Sequence, residues 1–368
     1  MKFAVVKNGI DPLRDEIAES IIQKCLQHGH EISSPENNIQ FVLNLTSPES
    51  PQFFRRRSQS IFVFSLVTAE NRGKDLHSIC YTTLVHTLSN IVLCAVPSNS
   101  HSSGASKSNY EIYFTTPESG FYHLPFDPEA VYQQIIPIAG SHFAMENQLI
   151  TDLPLRYWKT SPIVEKIKKF GKELDKLGVL PAPFPLKEVL SEETIQHIYN
   201  LFEMKGLSYG NLSARETIPE LGRTTFWMTA RGVNKAKLSS VGKDILLVKG
   251  FDYDQGKALV GVPPDFDPKA RVSVDAVEHE LIYRTFPDVG AIVHVHAWMD
   301  GVLCTRQNYP CGTRELAEEV VKLFHQTDKP SKTAVGLKNH GLTITGPSLD
   351  EIFNRISGKL LIEVPMFT

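Results

Sequence analysis

Short apolar runs separated by helical stripes organise the first part of the chain. Residues 3–6, 39–45, 60–67 and 91–96 are rich in Val, Ile, Leu and Phe and predict strands. Leu13, Ile17, Ile21, Ile22 and Leu26 recur at helical spacing over 12–28, and 75–88 predicts a second helix. Residues 110–115 and 120–123 predict a hairpin, and 127–136 a helix with Pro128 in its tolerant first turn. The polar stretch 97–109 predicts an exposed loop. A charged helix is predicted over 161–177. Pro181, Pro183 and Pro185 then interrupt any regular element, because proline donates no amide and clashes inside a helix.

The second half changes pattern. Residues 191–205 predict a helix, 225–229, 244–248 and 258–260 predict strands, and Val277, Leu281 and Ile282 form the stripe of a helix over 274–285. Residues 291–297 read as a buried strand, and helices are predicted over 313–324 and 349–361, with Ser348 and Glu351 spaced to cap the last. A chain of 368 residues exceeds one ordinary core. The pattern divides it into an α/β domain over 1–160, a helical and proline-rich connection over 161–187, and a second domain over 188–368.

Composition removes several classes of function. A net charge of -3 offers no electrostatic case for nucleic acid or an acidic membrane as partner. No apolar run reaches membrane-spanning length, and the first residues lack the pattern of a signal peptide. Five dispersed cysteines without a C-x-x-C suit a reducing compartment, so a cytoplasmic location is expected.

The chemistry concentrates in His294-Val295-His296. Residues two apart on a strand share a face, so both imidazoles point the same way. A third histidine, His340, follows in Asn339-His340-Gly341, where glycine removes side-chain bulk. Three histidines around one point hold a divalent metal with an open position, whereas the pair alone also fits a hydrogen-bonded couple on a strand face. A metal held by neutral ligands favours an anion, either an enediolate or a hydroxide. The first needs a carboxylate to move protons, and Asp275 and Glu278 are the candidates. Asp275 equally fits an ordinary acidic residue at a helix start. Gly210-Asn211-Leu212-Ser213 and Thr229-Ala230-Arg231-Gly232 read as donor-rich turns able to hold a phosphate or carboxylate, though such turns are common.

Together these pieces resemble the class II aldolase and adducin family. The resemblance runs from about Glu188 to the end. It rests on Gly206-Leu207, Gly210 to Arg215, Phe226 to Val233, His279 and Tyr283, Phe286 to His296, Gly312 to Ala317, and Asn339-His340-Gly341-Leu342. It implies an α/β/α sandwich with a mostly antiparallel central sheet, preceded by a separate α/β domain. It also implies a divalent metal, most simply Zn2+, on His294, His296 and His340, and a homo-oligomer such as a tetramer. The adducin branch keeps the fold without the metal chemistry, and the three histidines here argue against that branch.

Three departures from the family pattern stand out. The Pro-Ser-Ser-Glu-like segment reads Val272-Ser273-Val274-Asp275, which shortens the acid/base residue and removes one hydroxyl donor. Arg231 occupies the turn where the family has Thr-Pro-Ser/Thr-Gly. The stretch from His296 to Gly312 is short, and Tyr309 is the stand-in for the family's proton-donating tyrosine. The expectation is therefore a metal-dependent lyase of carbohydrate metabolism acting on a small-molecule substrate. It cleaves a sugar phosphate, hydroxy-ketone or hydroxy-acid by retro-aldol chemistry through an enediolate. Asp275 and Tyr309 are catalytic, and Asn211, Thr229, Arg231, Gly232 and Ser273 grip the substrate's anionic group. An epimerase, a dehydratase, a decarboxylase or a non-catalytic adducin-like assembly module are the alternatives.

Overall fold

The computed structural model describes the chain except residues 59, 71–73, 99–108, 119, 179–190, 194, 197–209 and 223. The predicted helix over 191–205, the proline-rich break and most of the 97–109 loop therefore lie largely outside the described residues. Two compact units result, one from Met1 to Ser141 and the other built mainly on the chain from His142 to Pro365.

The first unit is a seven-stranded sheet in the order β2-β1-β3-β4-β5-β6-β7. Strands β1 (Lys2–Lys7), β2 (Glu31–Ile32), β3 (Phe41–Leu45), β4 (Phe62–Thr68) and β5 (Ile91–Pro97) run parallel. Strands β6 (Tyr110–Thr115) and β7 (Phe121–Pro125) close it antiparallel. The continuous apolar runs of β3 to β5 are buried almost throughout, as parallel strands covered on both faces require. Helices α1 (Pro12–Gln27), α2 (Lys74–Thr87) and α3 (Pro128–Ala139) connect and cover them. Asp11 caps α1 by accepting the Arg14 amide. The buried Arg14 guanidinium donates to the carbonyls of Asn8, Gly9 and Thr46, which ties the β1–α1 turn to the end of β3. An open crevice of about 1380 Å³ lies at the carboxyl ends of β1, β3 and β4, lined by Asn8, Asp11, Ser47, Gln52 and Thr68 among others.

The second unit is a nine-stranded sheet in the order β14-β15-β16-β13-β9-β10-β11-β12-β8. Its strands are β8 (Glu146–Ile150), β9 (Asn211–Arg215), β10 (Phe226–Thr229), β11 (Ile245–Asp252), β12 (Lys257–Gly261), β13 (Ala291–Val295), β14 (Leu303–Cys304), β15 (Ala334–Leu337) and β16 (Gly341–Gly346). The sheet is mixed, where a mostly antiparallel one is expected: β15 through β12 pair antiparallel, but both edge strands run parallel to their neighbours.

Strand β8 also moves the division between the units. Residues 146–150 fall inside the expected 1–160 domain, yet they pair along the whole of β12. Their sequence, Glu-Asn-Gln-Leu-Ile, carries no alternating apolar signal, since an edge strand is held by its neighbour's backbone rather than by burial. Likewise α4 (Pro162–Lys176), expected in the connection, buries Val164, Ile167, Phe170 and Leu174 in the core of the second unit. Gly210–Ser213 is not a free turn: Asn211 onward is the buried strand β9.

Helices cover both faces. On one side α4 and α7 (Leu349–Ile356) pack over Leu212, Trp227, Val293 and Val295. On the other, residues of α5 (Ala276–Thr285) and α6 (Arg314–Phe324) share a cluster with Phe226, Met228, Ile292 and Val335. Alternation along β13 therefore sends Val293 and Val295 to the α4–α7 face, and Ile292 and His294 towards α5.

Candidate metal centre

His294 lies near the end of β13, and His296 follows one residue beyond the strand. His340 reaches them through the β15–β16 hairpin. In the antiparallel register Val295 faces Leu342 and His294 faces Thr343, so the residues leading into β16 lie beside His296. Asn339, at φ 58°, supplies the left-handed residue the turn needs, a conformation asparagine tolerates. The missing side chain of Gly341 makes room for the neighbouring backbone rather than for an ion: a Cβ there would sit 2.2 Å from the Val295 carbonyl oxygen.

Nitrogens of His294, His296 and His340 all lie within 4.8 Å of one another. His340 Nε2 is 3.1 Å from His296 Nε2. His294 Nδ1 lies 3.0 Å from the Leu342 carbonyl oxygen. Donation to that oxygen fixes the tautomer and leaves the Nε2 lone pair directed into the site. That Nε2 is buried with no hydrogen-bond partner among the described residues. Burial holds all three imidazoles below the ordinary histidine range, and so neutral, with charge repulsion among them adding to the effect at His296 and His340. Neutral imidazoles with an inward nitrogen left unsatisfied are what a divalent cation needs, so the donor set fits one.

The acids stand on the α5 side. Asp275 occupies the N-cap position of α5, but its carboxylate caps no amide. It accepts instead from Asn211 Nδ2 at 2.6 Å. Asp275 therefore sits at a helix start without acting as a side-chain cap. Asp275, His294 and Cys311 form a second group whose ligand atoms lie within 4.8 Å of one another. Glu278 is buried one turn along, and accepts from Thr343 Oγ1 at 2.6 Å. Burial, with the negative charge of Asp275 adding, pushes its carboxyl up to about 8. Beneath them Ser213 Oγ links His279 Nδ1 and Tyr283 Oη, each at 2.8 Å.

The expected anion grip is only partly assembled. Asn211 Nδ2 already donates to Asp275 and, at 3.0 Å, to Ser273 Oγ, so both its amide hydrogens are engaged within the protein. Thr229 is fully buried and its hydroxyl accepts the Leu212 amide, bracing β9. Arg231 and Gly232 lie in the turn after β10, with Arg231 exposed. Tyr309 is half-buried against the α5–α6 cluster, and no hydrogen bond among the described residues ties it to the histidines.

Two residues escaped sequence reasoning. Cys311 comes beside His340 with no ligand spacing to announce it. Lys235, in a short turn after β10, is buried, and burial lowers its ammonium to about 8 while Asp275 opposes the shift. A lysine in the polar run Asn234-Lys235-Ala236-Lys237 gives no sign that it will be buried.

Gly210 shows how closely the strands approach. It has φ 75°, and a Cβ would meet the His294 carbonyl oxygen at 2.5 Å. Gly210→Ala is expected to cost at least about 1–2 kcal/mol from the left-handed backbone alone, and more from the clash. Denaturant unfolding measures this, and an unchanged midpoint would refute the placement.

A helix-covered sheet presenting three convergent histidines beside a tethered carboxylate defines a domain built around a candidate divalent-metal centre. Residues 193–307 match the Class II Aldolase and Adducin N-terminal domain. The methylthioribulose-1-phosphate dehydratase of Leptospira biflexa serovar Patoc is 29% identical over 150 residues, which are 40% of this chain and 66% of the relative. Among solved structures, an L-fuculose 1-phosphate aldolase aligns at 19% identity and TM-score 0.36, covering 55% of this chain and 83% of the other. An aldolase II superfamily protein from Pseudomonas syringae aligns at 18% and 0.33, covering 54% and 73%. Among the described residues no helix is long and apolar enough to cross a membrane.

Proposed function

We propose that the chain is a metal-dependent lyase that cleaves a small hydroxy-carbonyl compound, such as a sugar phosphate or hydroxy-acid, by retro-aldol chemistry. The convergence of His294, His296 and His340 next to the Asn211-held carboxylate of Asp275 carries this reading. A divalent cation on the three histidines, most simply Zn2+, supplies positive charge against an oxygen that turns anionic. Asp275 takes the proton from the substrate hydroxyl as the carbon–carbon bond breaks, and its electron pair passes to the carbonyl fragment. Asp275 then returns the proton to that fragment's carbon. Asn211 holds the carboxylate on the metal side throughout. Arg231, exposed near Ser273, takes the remote anionic group.

Dehydration is the second reading, favoured by the similarity to a methylthioribulose-1-phosphate dehydratase. It uses the same carboxylate on a different proton: Asp275 takes the proton from the carbon beside the carbonyl, and the electron pair left there expels the hydroxyl one carbon further on, which leaves with a proton as water. The test is metal content, followed by mass analysis of products from a panel of sugar phosphates and hydroxy-acids. Two smaller fragments support the lyase, and an intact skeleton lighter by one water supports the dehydratase. A metal-free protein inactive on the whole panel would remove both.

A further inference from the structure

We infer that the thiolate of Cys311 is the fourth protein ligand of the metal held by His294, His296 and His340; this rests on the metal reading above. The loop carrying Cys311 is pinned on both sides of it. Thr313 Oγ1 donates to the Pro310 carbonyl at 2.8 Å, and the Ala144 amide donates to the Gly312 carbonyl at 2.8 Å. The half-buried Cys311 thereby presents Sγ at 3.5 Å from His340 Nε2.

That distance matches the edge of a coordination polyhedron. Bonds of 2.0–2.1 Å to nitrogen and 2.3 Å to sulfur at tetrahedral angles put nitrogens about 3.3–3.4 Å apart, and nitrogen and sulfur about 3.5–3.6 Å apart. The two edges at His340 Nε2 are 3.1 Å to His296 Nε2 and 3.5 Å to Cys311 Sγ. Hydrogen bonding accounts for this cluster less well. A ring nitrogen has either one proton to give or one lone pair to offer, yet His340 Nε2 faces two such neighbours. His294 Nε2, buried and without a partner among the described residues, is left over in any such scheme. A cation on these ligands would answer both the surplus at His340 Nε2 and the unpartnered His294 Nε2.

The second group of convergent atoms points to the same place, since Asp275, His294 and Cys311 share His294 with the histidine trio. Of its two further members, the carboxylate of Asp275 is already engaged by Asn211 at 2.6 Å. The sulfur is therefore the better fourth ligand, and Asp275 stays available for protons. Two consequences follow. The bound ion carries one unit less net charge than a three-histidine site would. A substrate oxygen must displace the sulfur or add as a fifth ligand.

The experiment uses the full chain reconstituted with Co2+. The wild type is expected to bind one equivalent and to show a thiolate-to-cobalt charge-transfer band in the near ultraviolet. Cys311→Ser should keep the cobalt on its histidines, lose the band, and bind the ion at least tenfold more weakly; Cys304→Ser should keep the band. A band that persists in Cys311→Ser overturns the inference, as does a wild type showing only ligand-field absorption; either leaves the metal reading standing. A wild type that binds no cobalt overturns both. Should Cys311→Ser fail to fold, alkylation of Cys311 in the wild type, followed by peptide mass analysis, decides. Metal should protect it at least tenfold and a chelator should restore its reactivity, and equal rates would refute the ligand role.

Discussion

His294→Ala is expected to purify without stoichiometric metal and to lose activity by well over a hundredfold. His294 is the best-prepared of the ligands, with Nδ1 anchored on the Leu342 carbonyl and Nε2 left without a partner. Removing an outer partner that merely orients a ligand costs about 10–100-fold in metal affinity or activity, so removing the ligand itself must cost more. The fold should survive, because the backbone of β13 stays paired to β9 and β16 on either side. Metal analysis of the purified variant is the direct measurement. A native-like variant with full metal content would contradict the assignment. A chelator should also lower the melting temperature of the wild type and leave that of His294→Ala almost unchanged, because an ion bound only to the native state stabilises it by mass action.

Glu278→Gln is expected to flatten a pH dependence of stability. The Glu278 carboxyl is raised from 4.5 to about 8, first by burial and then by the nearby charge of Asp275. Between those values the native state keeps a proton that the unfolded chain releases. The resulting stabilisation is complete below the unfolded value and is lost as pH rises through about 8. A tenfold difference in proton affinity between the two states is worth about 1.4 kcal/mol, so wild-type stability should fall by a few kcal/mol more than that of Glu278→Gln between pH 5 and pH 8. Glutamine can still accept from Thr343, which limits other losses. Urea unfolding at the two pH values, with chelator present to remove metal linkage, provides the comparison. Parallel profiles for the two proteins would show that Glu278 does not hold its proton.

Much of the architecture is legible from local pattern. The apolar runs of β3, β4 and β5 and the stripes of α1 and α5 follow from side-chain periodicity alone. So does the shared face of His294 and His296, because alternation along a strand needs no knowledge of the partner. Strand β8 is not legible in this way. Its polar residues sit at an edge where backbone pairing to β12 holds it, and backbone pairing leaves little trace in side-chain identity. Asn211 looks like a turn residue beside Gly210, and only its place between β13 and β10 makes it a buried strand residue that holds Asp275.

What the amino-acid order determined alone is the local part: which segments become strands and helices, which histidines share a face, and which family motifs are present. Tertiary structure decided which distant groups meet. The β13–β16 register carries His340 to His296, and the Cys311 loop is pinned against the same point. Whether Asp275 caps its helix or faces the histidines depends on Asn211 from another strand. Periodicity reports burial and direction within one element, whereas a site assembled from several elements depends on register and loop closure, which act between them.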